Sequence, residues 1–350
     1  MVNVSIMASH EQFAPTDLLD DVITMERYGL EKCWTSDHYM PWWDTGAKSG
    51  ATWPWLGAAL AKTNKIIIGT SVTAPILRYN PAVVAQVFAT LGYMFPNRIF
   101  LSVGTGESVN EVPSGHEWPS NAERFARLKE AVTIIKTLWN EEWIDHYQGK
   151  YYWRKDSKLY LKPKTPIPMY VAAMGPQTAK FAAEEGDGII TNELNPNNIK
   201  EKLLPSFRQG AERAGKNYDS MLKAVFMPAS FDEDKQKALQ SIEFWKGAMI
   251  RAMYEVDIHD PREIQENRQI VGNDVMEKMA FVISNAEEGI QKLKKYVELG
   301  FTDIVLINSS PDKEKLVKLL AQDISPTINE GQTQRSQLRK DATTTAATTS

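Results

Sequence analysis

Asp37, His38, Trp42 and Trp43 put an acid, a titrating base and two broad aromatic faces within seven residues. An imidazole changes charge near neutral pH, so beside a carboxylate it can pass a proton there. The tryptophans suit a flat aromatic ligand, although a surface loop whose tryptophans cap the core would carry the same residues. Gly104-Thr105-Gly106-Glu107 is a second candidate. It lacks the third glycine and the ribose-binding acid of a dinucleotide fingerprint. Its glycines would let a flat ligand approach the backbone with Glu107 above it, whereas a plain tight turn would leave Glu107 in solvent. Gly175-Pro176 opens a helical stretch, and the free N–H groups there either seat a phosphate or simply start a helix.

These stretches fall where predicted strands end. Strands are expected at Asn3–Ala8, Glu31–Ser36, Ile66–Val72, Arg98–Val103, Met169–Ala173, Gly188–Thr191, Met221–Ser230 and Asp303–Asn308, from short apolar, β-branched runs bounded by turn residues. Helical stretches alternate with them. One is capped by Thr16 and stopped at Gly29, and another opens with the capping-box spacing of Ser120 and Glu123. Gly29, Gly186 and Gly300 each stand where a helix stops and a short apolar strand begins. Two insertions interrupt the alternation: an aromatic hairpin at 143–161 and a mainly helical segment at 233–278. Eight strands mostly followed by helices favour an α/β fold of the (β/α)8 TIM-barrel type with insertions over a doubly wound sheet. The barrel is expected to span residues 1–330 as one domain. The Thr-, Gln- and Ala-rich segment 331–350 reads as a disordered tail. In a barrel the chemistry belongs at the carboxyl ends of the strands. There the sequence places His10-Glu11-Gln12, Asp37-His38, Ser71-Val72-Thr73, Gly104 to Glu107, Met174-Gly175-Pro176, Thr191-Asn192-Glu193 and Asn308-Ser309-Ser310.

Composition narrows the partners. A net charge of −4 without a long basic run offers nothing to nucleic acid or an anionic membrane surface. Cys33 is the only cysteine, so an intrachain disulfide is ruled out, and no Cys/His cluster has zinc spacing; no metal is expected. No signal-peptide pattern is visible, and no apolar run approaches ~18 residues, so a cytoplasmic protein is the expectation.

Taken together, Glu11, Ser36-Asp37-His38 with Pro41-Trp42, Thr70-Ser71-Val72, Asn80-Pro81-Ala82, Pro96-Asn97-Arg98, Gly104 to Glu107 with Asn110-Glu111, and Gly186-Asp187-Gly188 resemble the luciferase-like (β/α)8 oxidoreductases. Within them the chain resembles the dehydrogenases that use the deazaflavin coenzyme F-420 (8-hydroxy-5-deazaflavin), a subgroup holding glucose-6-phosphate and secondary-alcohol enzymes. The resemblance covers about residues 3–325. Asn308 to Asp312 and Phe244-Trp245 look closer to the alcohol enzymes.

The resemblance implies hydride transfer between a carbinol carbon and the coenzyme ring, with the protein supplying geometry and proton handling. It implies that His38 accepts the hydroxyl proton, that Trp42 closes the pocket and that Glu107 serves as acid near the ring. Asp37, Ser71-Val72 (where this family has a non-prolyl cis peptide), Gly106, Asn110, Gly175-Pro176-Gln177 and Thr191 would hold the coenzyme. Glu11, Trp42, Asn192, Glu193 and Glu255 would meet the substrate. The sugar-phosphate enzymes grip phosphate with lysines and an arginine, where this chain aligns Glu193 or Leu194, Glu255 and Met279. An unphosphorylated alcohol or sugar is therefore the expected substrate, with Met249, Met253 and Tyr254 as apolar wall. Arg251 or Lys278 would be the substitutes for a missing cation. A sugar-phosphate dehydrogenase is the alternative, then a monooxygenase using flavin mononucleotide. A homodimer is implied by similarity.

Overall fold

The computed structural model describes residues 1–250 and 254–331. Eight parallel strands carry it: β1 (Asn3–Ala8), β2 (Lys32–Thr35), β3 (Ile67–Thr70), β4 (Ile99–Val103), β5 (Met169–Ala172), β6 (Gly188–Thr191), β7 (Leu222–Phe231) and β8 (Asp303–Asn308). Each pairs with its neighbours in order, and β8 pairs back onto β1, so the ring has no free edge. This is the expected (β/α)8 barrel. Strands covered on both faces have no solvent side, which is why β8 reads as the unbroken run Ile304-Val305-Leu306-Ile307 and all of it is buried. The helices need only one apolar stripe: Pro15–Arg27 buries Leu18, Val22 and Met25, spaced by about one turn. Inside the ring Trp34 meets Phe100 edge-on at 4.6 Å, and Tyr170 lies 5.9 Å from Trp34.

Several local expectations hold. Ser120 accepts from the Glu123 N–H at 3.3 Å and opens the helix Asn121–Asn140. Tyr147–Gln148 and Trp153–Arg154 pair antiparallel in the first insertion. The second insertion includes the helices Lys235–Ser241, Pro261–Glu266 and Asn273–Met279. Other motifs prove structural. Asn80 caps its helix by accepting from Ala82 N–H, Asp187 accepts from Met169 N–H, and Arg98 donates to the Leu60, Thr63 and Ile66 carbonyls.

Three expectations need correction. Thr16 does not cap the first helix: Pro15 takes its first position after Ala14, and the Thr16 hydroxyl turns to Asp17 instead. The joint glycines are not alike. Gly29 and Gly300 have φ of 85° and 97°, but a Cβ on Gly186 would meet the Ala182 carbonyl at 2.7 Å, so that joint needs close packing. The second insertion also ends in an unexpected strand, Phe281–Ile283, paired with Ala229–Phe231 of β7 beyond the part that meets β6.

Candidate active site

A cavity of about 680 Å³ lies at the carboxyl ends of the strands. Its floor comes from Met7, Phe226, Pro228 and Ile307, all on barrel strands, and one side is closed by Trp245, Ala248, Met249 and Tyr254 of the second insertion. Trp245 is anchored at the rim, its Nε1 donating to Ser309 Oγ at 2.9 Å, and that hydroxyl donates to Gln12 Oε1 at 2.8 Å. Trp42 stands between the two halves of the wall, 5.4 Å from the Tyr254 ring and 5.5 Å from the His38 ring. Burial raises the Tyr254 pKa, so its hydroxyl stays a donor, to the Ala248 carbonyl at 2.9 Å.

His38 is the centre of the polar part. Its Nδ1 lies between the Met40 carbonyl at 3.0 Å, an acceptor, and Asn110 Nδ2 at 3.3 Å, a donor. Nε2 faces Glu11 Oε1 at 3.4 Å and Glu107 Oε2 at 3.5 Å. Glu11 is buried, accepting from Ser9 Oγ at 3.2 Å and in a short hydrogen bond from Ser36 Oγ. Asn110 brackets the other side. Its Nδ2 donates to Glu107 Oε2 at 2.8 Å, while its Oδ1 accepts from Tyr39 N–H at 2.8 Å and Met40 N–H at 3.3 Å. An imidazole between two carboxylates, beside an aromatic wall in a largely apolar cavity, is an arrangement that could move a proton.

The glycines of the second motif have separate reasons. Gly106 holds φ at 71°, and a Cβ on Gly104 would lie 2.6 Å from a Val72 methyl. That contact belongs to the Ser71–Val72 peptide, which is cis. Ser71 Oγ lines the cavity, buried and without a hydrogen-bond partner among the described residues. Glu107 follows Gly106 as the cap residue of the short helix Ser108–Glu111.

Of the other expected site residues, Asn192 and Glu193 line the cavity with Leu194. Glu193 accepts from Asn195 N–H at 2.9 Å and from Asn198 Nδ2 at 3.3 Å, and Thr191 is buried, accepting from Glu193 N–H. Gly175, Pro176 and Gln177 open the helix Pro176–Glu185 just past Met174, itself in the lining. Asp37 is turned away from the cavity: its Oδ2 accepts from Thr73 Oγ1 at 2.7 Å and its Oδ1 from Tyr79 OH at 3.0 Å. Glu255 is exposed and outside the lining, whereas Lys278 and Lys295 are in it. Arg251 and Met253 fall outside the described residues. Sequence reasoning missed Lys295 and the floor residues. Phe226 and Pro228, two apart on one strand, carried the period-two signal that would have found the floor.

Behind the wall, His10 is fully buried edge-on to Trp55 at 5.1 Å, and burial lowers its pKa to about 4. A histidine held neutral on folding contributes stability that is present above its unfolded value near 6.5 and lost as pH falls toward 4. Between pH 7 and pH 5 this costs about 2 kcal/mol. Urea unfolding at both values should show that slope in the wild type, and less of it in His10→Met. Equal slopes would mean that His10 protonates without cost.

Comparison with known proteins agrees with this geometry. The luciferase-like monooxygenase family matches residues 2–303. An F-420-dependent glucose-6-phosphate dehydrogenase of Nakamurella multipartita is 38% identical over 92% of this chain and 95% of its own length. One from Mycobacterium tuberculosis is 37% identical over 92% and 96%. Among solved structures, an F-420-dependent secondary alcohol dehydrogenase in complex with an F-420–acetone adduct superposes with a TM-score of 0.90 at 37% identity, covering 93% of this chain and 99% of that one. An F-420-dependent tetrahydromethanopterin reductase of Methanopyrus kandleri, at 23% identity and a TM-score of 0.71, shares the fold. With a closed barrel, a histidine–carboxylate cluster at its carboxyl rim and matches along almost its whole length, the chain belongs to the luciferase-like family.

Proposed function

We propose that this chain is a dehydrogenase that uses coenzyme F-420 and acts on the CH–OH group of an unphosphorylated alcohol or sugar. The observation that carries the reading is His38 Nε2 held between Glu11 and Glu107 at the edge of an apolar cavity. The site suits a flat polar-edged ring: Ser71 Oγ is an orphaned buried donor in the cavity lining. When bound, the deazaflavin supplies the hydride acceptor. His38 takes the substrate hydroxyl proton on Nε2, and the contacts of its Nδ1 with the Met40 carbonyl and Asn110 fix the ring's orientation. Glu11 and Glu107 stabilise the resulting imidazolium, and Glu107, partly exposed to the cavity, would take that proton from Nε2 and pass it toward the ring side. Asn110 keeps Glu107 and the His38 loop together. Trp42 and Tyr254 shut out water. The free N–H groups at the start of the helix Pro176–Glu185 would take the coenzyme's phosphate, beside Gln177. Asp37 supports the site from behind.

Lys278 and Lys295 in the lining favour a second reading, a sugar-phosphate dehydrogenase like the relatives above. A homodimer working in the cytoplasm belongs to the same proposal, and sedimentation of the purified protein tests the dimer. The decisive measurement is titration with F-420 and with flavin mononucleotide. F-420 should bind with a dissociation constant at or below the micromolar range, about −8 kcal/mol or better. Tighter binding of flavin mononucleotide, with oxygen-dependent turnover, would overturn the reading.

A further inference from the structure

We propose that Arg78 is a positioning residue: by holding Asp37 and Glu111 at once, it sets the separation between His38 and Glu107. The inference rests on the dehydrogenase reading for the roles of those two groups, but its geometry stands alone. Arg78 Nη2 donates to the Asp37 carbonyl at 2.9 Å and lies 3.6 Å from Asp37 Oδ1. The Arg78 backbone N–H donates to Glu111 Oε2 at 2.8 Å, and its Nε lies 3.7 Å from Glu111 Oε1. The arginine side chain is 9% exposed, and its partners are 1% and 0% exposed. Its guanidinium covers the Tyr79 ring at 4.4 Å, and Tyr79 in turn stacks on Trp53 at 4.1 Å, so the arginine is held flat.

What makes this more than a buried ion pair is where the two carboxylates sit in the chain. Asp37 immediately precedes His38. Glu111 is one helical turn past Glu107, with its N–H on the Glu107 carbonyl at 3.1 Å, and Asn110 beside it touches both Glu107 and His38. One cation therefore ties the loop carrying the base to the turn carrying the acid. Neither Arg78 nor Glu111 lines the cavity, so neither meets the reacting atoms. Burial pushes the Glu111 carboxyl up to about 7 despite Arg78, with Glu107 and Asp37 adding to the rise. Such a pair gives little net stability over an apolar replacement. What it gives is a fixed arrangement, and small displacements at a reacting centre are expensive in rate: ~1 Å costs about a hundredfold.

The test uses Arg78→Lys, which keeps the charge but loses the planar fork, and Arg78→Met/Glu111→Gln, which removes the cation with one of its two carboxylates and leaves Asp37 to the Thr73 and Tyr79 hydroxyls. For Arg78→Lys we expect kcat to fall about tenfold, with KM and the F-420 dissociation constant within about threefold of wild type. The double variant should melt near the wild-type temperature yet keep kcat down by about a hundredfold. An independent readout needs no turnover: the chain has five histidines, and in coenzyme-free protein the His38 ring resonances should move in both variants. Those of the exposed His146 and His259 should stay. An Arg78→Lys enzyme with wild-type kcat and unmoved His38 resonances overturns the proposal. So does a double variant that recovers both melting temperature and kcat, because the pair would then only balance charge. If the wild type itself fails to reduce F-420, the dehydrogenase reading falls and the resonances alone decide about Arg78.

Discussion

His38→Ala should keep its grip on F-420 while losing turnover by roughly 10²–10⁴-fold, the usual contribution of a positioned base. Nε2 is the imidazole nitrogen that faces both Glu11 and Glu107, while Nδ1 lies against the Met40 carbonyl and Asn110. Removing the ring would therefore delete the proposed proton acceptor and leave the proposed coenzyme seat at Ser71 and the helix at Pro176 in place. Glu107→Gln separates two parts of the same argument. The amide still pairs with Asn110, yet it can neither give a proton nor stabilise an imidazolium, so hydride transfer should slow while binding weakens only slightly. Pre-steady-state absorbance of the deazaflavin measures both constants in one experiment. Wild-type rates in both variants would mean that the proton moves elsewhere, and Glu11 would be the group to replace next.

The sequence made the barrel legible because its strands are short, apolar and fenced by glycine and proline, and because the ring leaves no solvent face to blur the pattern. The reactive rim was legible for the same reason: polar residues clustered where apolar runs stop. Phe281–Ile283 was missed since three residues after a helical stretch have no periodicity, and their strand forms only against the overlong β7. Arg78 was missed for a different cause. It lies in a loop between Pro75 and Pro81, and its partner Asp37 is 41 residues away, so nothing local marks the contact. Asp37 drew attention as a neighbour of His38, but its carboxylate points to Thr73 and Tyr79, a direction that only the folded backbone decides. Glu255 was placed by analogy through an insertion, where spacing carries little information, and it lies exposed away from the cavity.

That displacement moves the test of substrate charge onto Glu193. Glu11, Glu107 and Glu193 line the cavity against Lys278 and Lys295. Two like unit charges ~5 Å apart at an effective dielectric of ~20 repel by about 3 kcal/mol. A phosphate carries nearly two charges, so even after screening by the rim lysines a phosphate ester should bind tens- to hundreds-fold less well than its parent alcohol wherever the carboxylates are its nearer neighbours. We expect isopropanol or glucose to exceed glucose 6-phosphate in kcat/KM. Glu193→Gln should narrow that gap, because it removes one repelling charge. Lys278→Ala should widen it, because it removes one attracting charge, and it should leave isopropanol almost untouched. The opposite pattern is equally readable: a wild-type preference for glucose 6-phosphate that collapses in Lys278→Ala would show that the lysines, and not the glutamates, face the phosphate. The substrate would then be a sugar phosphate, held by cations that reach the cavity from the end of the second insertion and the helix after it.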